Sequence, residues 1–158
     1  MKKIHLVITL FCSVILFSQE KTKDFPNTVT ADEAFILQEE TEKPIVFFFY
    51  TNWCKYCFTM KKNTFTNNNI IKLLDENFHF VLFNAESKEP VKFKNKTFKN
   101  TSGTHELAIA LAAKKGYMSY PTTVILNHKQ RIDEQADTFL SAKQLEKLFS
   151  KYLKKQKR

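Results

Sequence analysis

The stretch Thr51-Asn52-Trp53-Cys54-Lys55-Tyr56-Cys57 follows an uninterrupted apolar run, Ile45-Val46-Phe47-Phe48-Phe49-Tyr50, and the pair decides how the rest of the chain is read. A short continuous run of β-branched and aromatic residues predicts a strand covered on both faces. Two cysteines with two residues between them, where that strand gives way to a helix predicted over about 54–63, form a candidate reactive dithiol. Cys54 at a helix N-terminus meets unpaired backbone N–H groups and the positive end of the helix dipole, which favour a thiolate over a thiol. Cys57, one turn further in, is within disulfide reach. One sulfur can then attack a disulfide while the other resolves the mixed intermediate. The expectation is an accessible Cys54 with Cys57 behind it.

Two other readings of the pair compete. A structural zinc site needs further Cys or His ligands, but Cys12 lies in a segment expected to be removed and His79, His105 and His128 form no paired ligand motif. A purely structural disulfide would close a very small loop and restrict the unfolded chain little. Redox chemistry is the favoured reading, and it requires neither a cofactor nor a metal.

Length and composition bound the answer. At 158 residues, with 16 Phe against 2 Gly and 4 Pro, the chain suits one domain with a substantial core rather than a disordered segment. Lys2 and Lys3, an apolar run from Ile4 to Phe17, and polar residues at Ser18 and Gln19 have the layout of an export signal. That run is too short to span a bilayer. Phe11 before Cys12 argues against lipid attachment there. Residues 1–18 are therefore expected to be removed, leaving a periplasmic or secreted protein that does not span the membrane. Of the 25 basic residues, removal of Lys2 and Lys3 leaves 23 against 16 acidic, a net charge of +7. Those lysines are dispersed and no nucleic-acid motif is present, so a solvated basic surface is expected and no nucleic-acid partner.

Outward from the central stretch, residues 19–29 read as a flexible lead, 30–154 as the folded domain and 155–158 as a tail that frays. Thr30-Ala31-Asp32-Glu33 has capping-box form and predicts a helix over about 31–40. In the helix that follows the dithiol, Phe58 and Met60 are candidate core contacts. N-cap chemistry at 66–69 introduces a helix with Ile70, Ile71, Leu73 and Leu74, and Phe78 to Phe83 is a second apolar strand. The order helix, strand, helix, helix, strand suits parallel pairing through a right-handed crossover.

Residues 85–103 interrupt this alternation with a hairpin in which Phe93 and Phe98 alternate with lysines. Base stacking is one reading. An edge hairpin that buries aromatics and guards its edge with lysines is the favoured one. A helix over about 104–115, a strand at 122–126, a return strand near 131–135 and a final helix bearing Leu145, Leu148, Phe149 and Tyr152 complete the chain.

With Trp53-Cys54-Lys55-Tyr56-Cys57 after a buried strand, Lys115-Gly116 later, and Tyr120-Pro121-Thr122 before another strand, residues 31–153 resemble the thioredoxin superfamily. Lys62-Asn63-Thr64-Phe65 after the motif is similar to the C-terminal domain of DsbD-type interchange proteins and their exported relatives. The resemblance implies an α/β fold, a central mixed sheet flanked by helices, with the 85–103 segment inserted. It implies a redox-active Cys54/Cys57 pair and a cis Pro121 facing it, with the backbone of Tyr120 pairing with substrate. Trp53, Lys55 and Tyr56 are expected at the substrate surface.

Two departures stand out. Many relatives carry a buried acid six residues before the first cysteine, where this chain has Phe48, and Glu86 is a possible substitute. Ser119-Tyr120 replaces the usual glycine and aliphatic residue. The implied activity is exported thiol:disulfide exchange on protein disulfides, reduction favoured, fed by a donor protein or thiol. The alternative is an exported interaction module whose dithiol is idle.

Overall fold

The computed structural model describes residues 23–93 and 95–156. The expected signal segment 1–18 and Cys12 lie outside them. The elements run α1 (Ala31–Thr41), β1 (Ile45–Tyr50), α2 (Lys55–Thr59), α3 (Asn68–Asn77), β2 (His79–Asn84), β3 (Val91–Phe93), β4 (Lys96–Phe98), α4 (Glu106–Ala112), β5 (Thr122–Leu126), β6 (Ile132–Ala136) and α5 (Ala142–Gln156).

The sheet order is β2-β1-β5-β6, with β2 parallel to β1 and the other two pairings antiparallel. This is the mixed sheet that the resemblance implied. β1 is interior, and Ile45 through Phe49 are inaccessible to solvent. Strand alternation sends Ile45, Phe47 and Phe49 to one side, where α1, α4 and the β3-β4 hairpin cover them. Val46 and Phe48 go to the other side, against the elements that carry Cys57, Leu74 and Phe149. Each buried aromatic contributes about 2–3 kcal/mol through area removed from water, so a five-residue strand hidden on both faces commands helices on both.

Local chemistry sets the element ends. Thr30 and Glu33 form the reciprocal capping box at α1, and Asn67 caps α3. α2 continues into one π-helical turn, Met60–Thr64, in which Phe65 N–H donates to Met60 O at 3.0 Å. The Thr64 hydroxyl ties that turn to Leu140 O at 2.8 Å. The wide turn buries Met60, Thr64 and Phe65 together while Phe58 stays 62% exposed, so Phe58 is not the core contact expected of it.

Three further expectations are corrected. The lead is not loose over 23–29: Lys23 pairs with Asp75 at 2.7 Å, Val29 N–H donates to Phe80 O at 3.0 Å, and Phe25 packs on Phe65 and Phe80. α5 is continuous through Gln156, so the expected fraying has not begun at Lys155. α4 is shorter than expected at both ends: the His105 ring caps its start, Nδ1 accepting Leu107 N–H at 3.1 Å, and the backbone turns extended at Ala113, φ −71° and ψ 134°. In the hairpin, Phe93 stacks on Phe35 at 4.0 Å and Phe98 is buried, so both rings serve packing.

His79 opens β2 and lies against Thr41, whose hydroxyl donates to Leu37 O and accepts from His79 Nε2 at 2.7 Å. Burial, then the charge of Lys43, holds the imidazole below its ordinary value of 6.5. The unfolded chain thus binds a proton here before the folded one does, and stability falls as pH drops through about 6.5. Thermal melts between pH 7.5 and 5.5 are expected to show a falling Tm, with a shallower slope in His79→Gln; an equal slope in both would remove His79 as the cause.

Candidate active site

β1 ends at Tyr50, the backbone turns, and Cys54 N–H returns to Thr51 O at 3.3 Å. Cys54 is the N-cap of α2, with extended backbone at φ −77° and ψ 103°, and its sulfur accepts Cys57 N–H at 3.1 Å. This slot normally holds a Ser or Asp oxygen, because the first-turn N–H groups have no helical partner. Sulfur in the same slot gains the same stabilisation as an anion. The two cysteines are joined, with S–S 2.03 Å and Cα atoms 5.2 Å apart.

Cys57 is fully buried and Cys54 is 6% exposed. The order of accessibility is the expected one, but Cys54 is recessed rather than open in the disulfide form.

Register brings the second half of the site alongside. Thr122, the first residue of β5, pairs with Phe49 near the end of β1, so Pro121 arrives level with the motif turn. The Tyr120–Pro121 bond is cis. The segment is delivered by a tight turn in which Lys114 and Tyr117 exchange backbone hydrogen bonds across Lys115 and Gly116, at φ 51° and 80°. Positive φ at both central positions is the hairpin geometry that glycine eases.

The rim is aromatic. Trp53 and Tyr56 are 67% and 68% exposed, and Lys55 is exposed between them in sequence. The Trp53 ring meets the half-buried Tyr120 edge-on, with centroids 5.9 Å apart at 87°. On the other side, Tyr56 lies 6.3 Å from Phe139. Burial raises the Tyr120 phenol above its ordinary value; a hydrogen bond with Thr104 acts the other way, and the charge of Glu86 adds to the rise.

Glu86 does not supply the missing buried acid. It is exposed, and its Oε1 accepts the Trp53 indole N–H at 3.0 Å. Phe48 fills the acid's place with an apolar ring 4.8 Å from Phe65, in the same cluster as Cys57. No local pattern signals the Glu86 contact, which spans 33 residues, or the places of Thr104 and Phe139 at the rim.

A polar atom does remain on that face. Thr123 lies opposite Phe48 in the β1-β5 register and shares the side of Ile125, which packs in the Cys57 cluster. Its hydroxyl is buried and has no hydrogen-bond partner among the described residues.

A family model for the thioredoxin-like domain matches residues 31–153. The chain belongs to the thioredoxin-like domain family. Among solved structures it is similar to one described as a DsbH oxidoreductase (17% identity, 86% of this chain and 90% of that one, TM-score 0.61). It is also similar to a thioredoxin from Thermus thermophilus (16% identity, 83% and 88% covered, TM-score 0.62). A third is the oxidised C-terminal domain of DsbD from Neisseria meningitidis (18% identity, 75% and 89% covered, TM-score 0.52). At these identities the likeness is one of fold. Comparison with curated sequences finds none that matches.

An unpaired buried hydroxyl carries a desolvation cost with no return. Thr123→Val keeps the shape and removes the hydroxyl, so thermal unfolding is expected to show stability unchanged or raised by about 1 kcal/mol. A clear fall in Tm would mean that the hydroxyl is bonded in solution.

Proposed function

We propose that the protein is an exported thiol:disulfide oxidoreductase that reduces protein disulfides through Cys54 and Cys57. The observation that carries this reading is the Cys54 sulfur in the N-cap slot, held by Cys57 N–H and bridged to a buried partner one turn away. The same hydrogen bond that caps the helix would stabilise the attacking thiolate.

In the reduced enzyme, Cys54 S⁻ attacks one sulfur of a substrate disulfide. An S–S bond forms between Cys54 and substrate, and the other substrate sulfur leaves as a thiolate that takes up a proton. Cys57 then loses its proton and attacks the Cys54 sulfur. The Cys54–substrate bond breaks, the second substrate thiol leaves, and the Cys54–Cys57 disulfide remains. Two electrons have passed to the substrate, and a donor protein or thiol must return them. Trp53, Lys55, Tyr56, Tyr120 and Pro121 form the surface that meets the substrate, with the Tyr120 backbone pairing to it.

The reductive direction rests on the resemblance of Lys62-Asn63-Thr64-Phe65, after the motif, to the C-terminal domain of DsbD-type interchange proteins. Export rests on Lys2-Lys3 and the apolar run Ile4 to Phe17. Among the described residues no helix is long and apolar enough to cross a membrane. The leader layout is the ground for assigning the mature protein to the periplasm or the cell exterior.

Insulin reduction with a thiol donor tests the activity. Cys54→Ala is expected to abolish turnover, and Cys57→Ala to accumulate covalent substrate complexes that run as mixed disulfides on non-reducing gels. Full activity in Cys54→Ala would end the proposal. Equilibration with glutathione buffers decides direction: a Cys54/Cys57 couple well below the buffer's potential supports reduction, and one well above it makes the protein an oxidant.

A further inference from the structure

We propose that Glu86 is a positioning residue: it latches the Trp53 indole against Tyr120 and so sets the width of the rim through which a substrate reaches the recessed Cys54. This assignment rests on the reading of Cys54 as the attacking sulfur and adds to it what governs access.

Trp53 is 67% exposed, and an aromatic side chain this open has little packing to hold one rotamer. Two directed contacts hold it. Its Nε1–H donates to Glu86 Oε1 at 3.0 Å, and its ring meets Tyr120 edge-on at 5.9 Å. Those residues precede the two halves of the site, Trp53 next to Cys54 and Tyr120 next to Pro121. A hydrogen bond from a distant loop therefore fixes the spacing between the motif turn and the segment that faces it.

The loop is built to hold that position. Ala85 N–H donates to Tyr50 O at 2.8 Å, Glu86 N–H to Asn84 Oδ1 at 3.0 Å, and His105 N–H to Ala85 O at 2.7 Å. His105 is itself buried and binds Glu89 O through Nε2 at 3.0 Å, which closes the segment at its base. Thr104, the residue that directly follows the segment, lies beside the Tyr120 phenol. Both ends of the inserted stretch thus converge on the aromatic pair, which gives the insertion a task at the site. A latched rim admits a substrate chain that docks across Trp53 and Tyr120, and it slows small thiols and disulfides that approach without such docking.

Trp53 is the only tryptophan of the chain, so its fluorescence reports the latch directly and without substrate. In Glu86→Ala, anisotropy is expected to fall and acrylamide quenching to rise about twofold, because the indole N–H loses its acceptor. Reduction of the Cys54–Cys57 disulfide by dithiothreitol should accelerate about threefold, while KM for insulin rises and kcat stays near that of the parent. Glu86→Gln keeps an acceptor oxygen and should restore all four values. If Gln instead behaves like Ala, the charge and not the latch is responsible, and the proposal falls. It falls equally if Glu86→Ala leaves anisotropy and quenching unchanged, or if the dithiothreitol rate drops along with the insulin rate. Absence of insulin turnover in the parent would overturn the proposed function alone, because fluorescence and dithiothreitol reduction still read the latch.

Discussion

The structure depends on the need to hide both faces of β1. Ile45 to Phe49 offer no polar side chain to water, so the strand can exist only in the interior of a sheet with cover on each side. α1, α4 and the small hairpin provide one layer; α2, α3 and α5 provide the other. The sequence must leave this layer at Tyr50, and the first residues to reach the surface are those of the dithiol turn. Placement of the site is thus a consequence of strand burial.

At that end of the sheet, elements remote in sequence meet because of register. β5 runs antiparallel to β1, so the start of β5 lies beside the end of β1, and Pro121 is brought to the turn that holds Cys54. β2 runs parallel to β1 and ends at the same edge, and its continuation supplies Ala85 and Glu86 to the same corner. Two strand ends and one strand start converge there. Backbone pairing of the strands brings the sulfur, the aromatic pair and the carboxylate to one corner, and side-chain contacts then join Trp53 to Tyr120 and Glu86.

The interior behind the disulfide is largely apolar. Phe48, Met60 and Phe65 pack in the cluster that contains Cys57, and Glu86 points to the surface instead. Cys57 is fully buried among these side chains, whereas Cys54 caps α2 and keeps 6% of its surface exposed. The two sulfurs thus differ in their surroundings, a recessed helix-cap position for one and a fully buried position for the other.

Much was legible in the chain alone. The apolar run, the spacing of Cys54 and Cys57, the capping box at Thr30 and the proline at 121 are local signals, and each reports a local physical demand: burial, sulfur reach, orphan N–H groups, a fixed φ. What tertiary structure alone decided were the contacts whose partners are far apart in sequence and share no pattern. The docking of Phe25 on Phe80, the exposure of Phe58 beyond a π turn, the recess of Cys54 and the bond from Trp53 to Glu86 belong to this group. Periodicity can say which side of an element is apolar. Only the packed sheet determines which loop stands close enough to give a surface tryptophan its hydrogen bond.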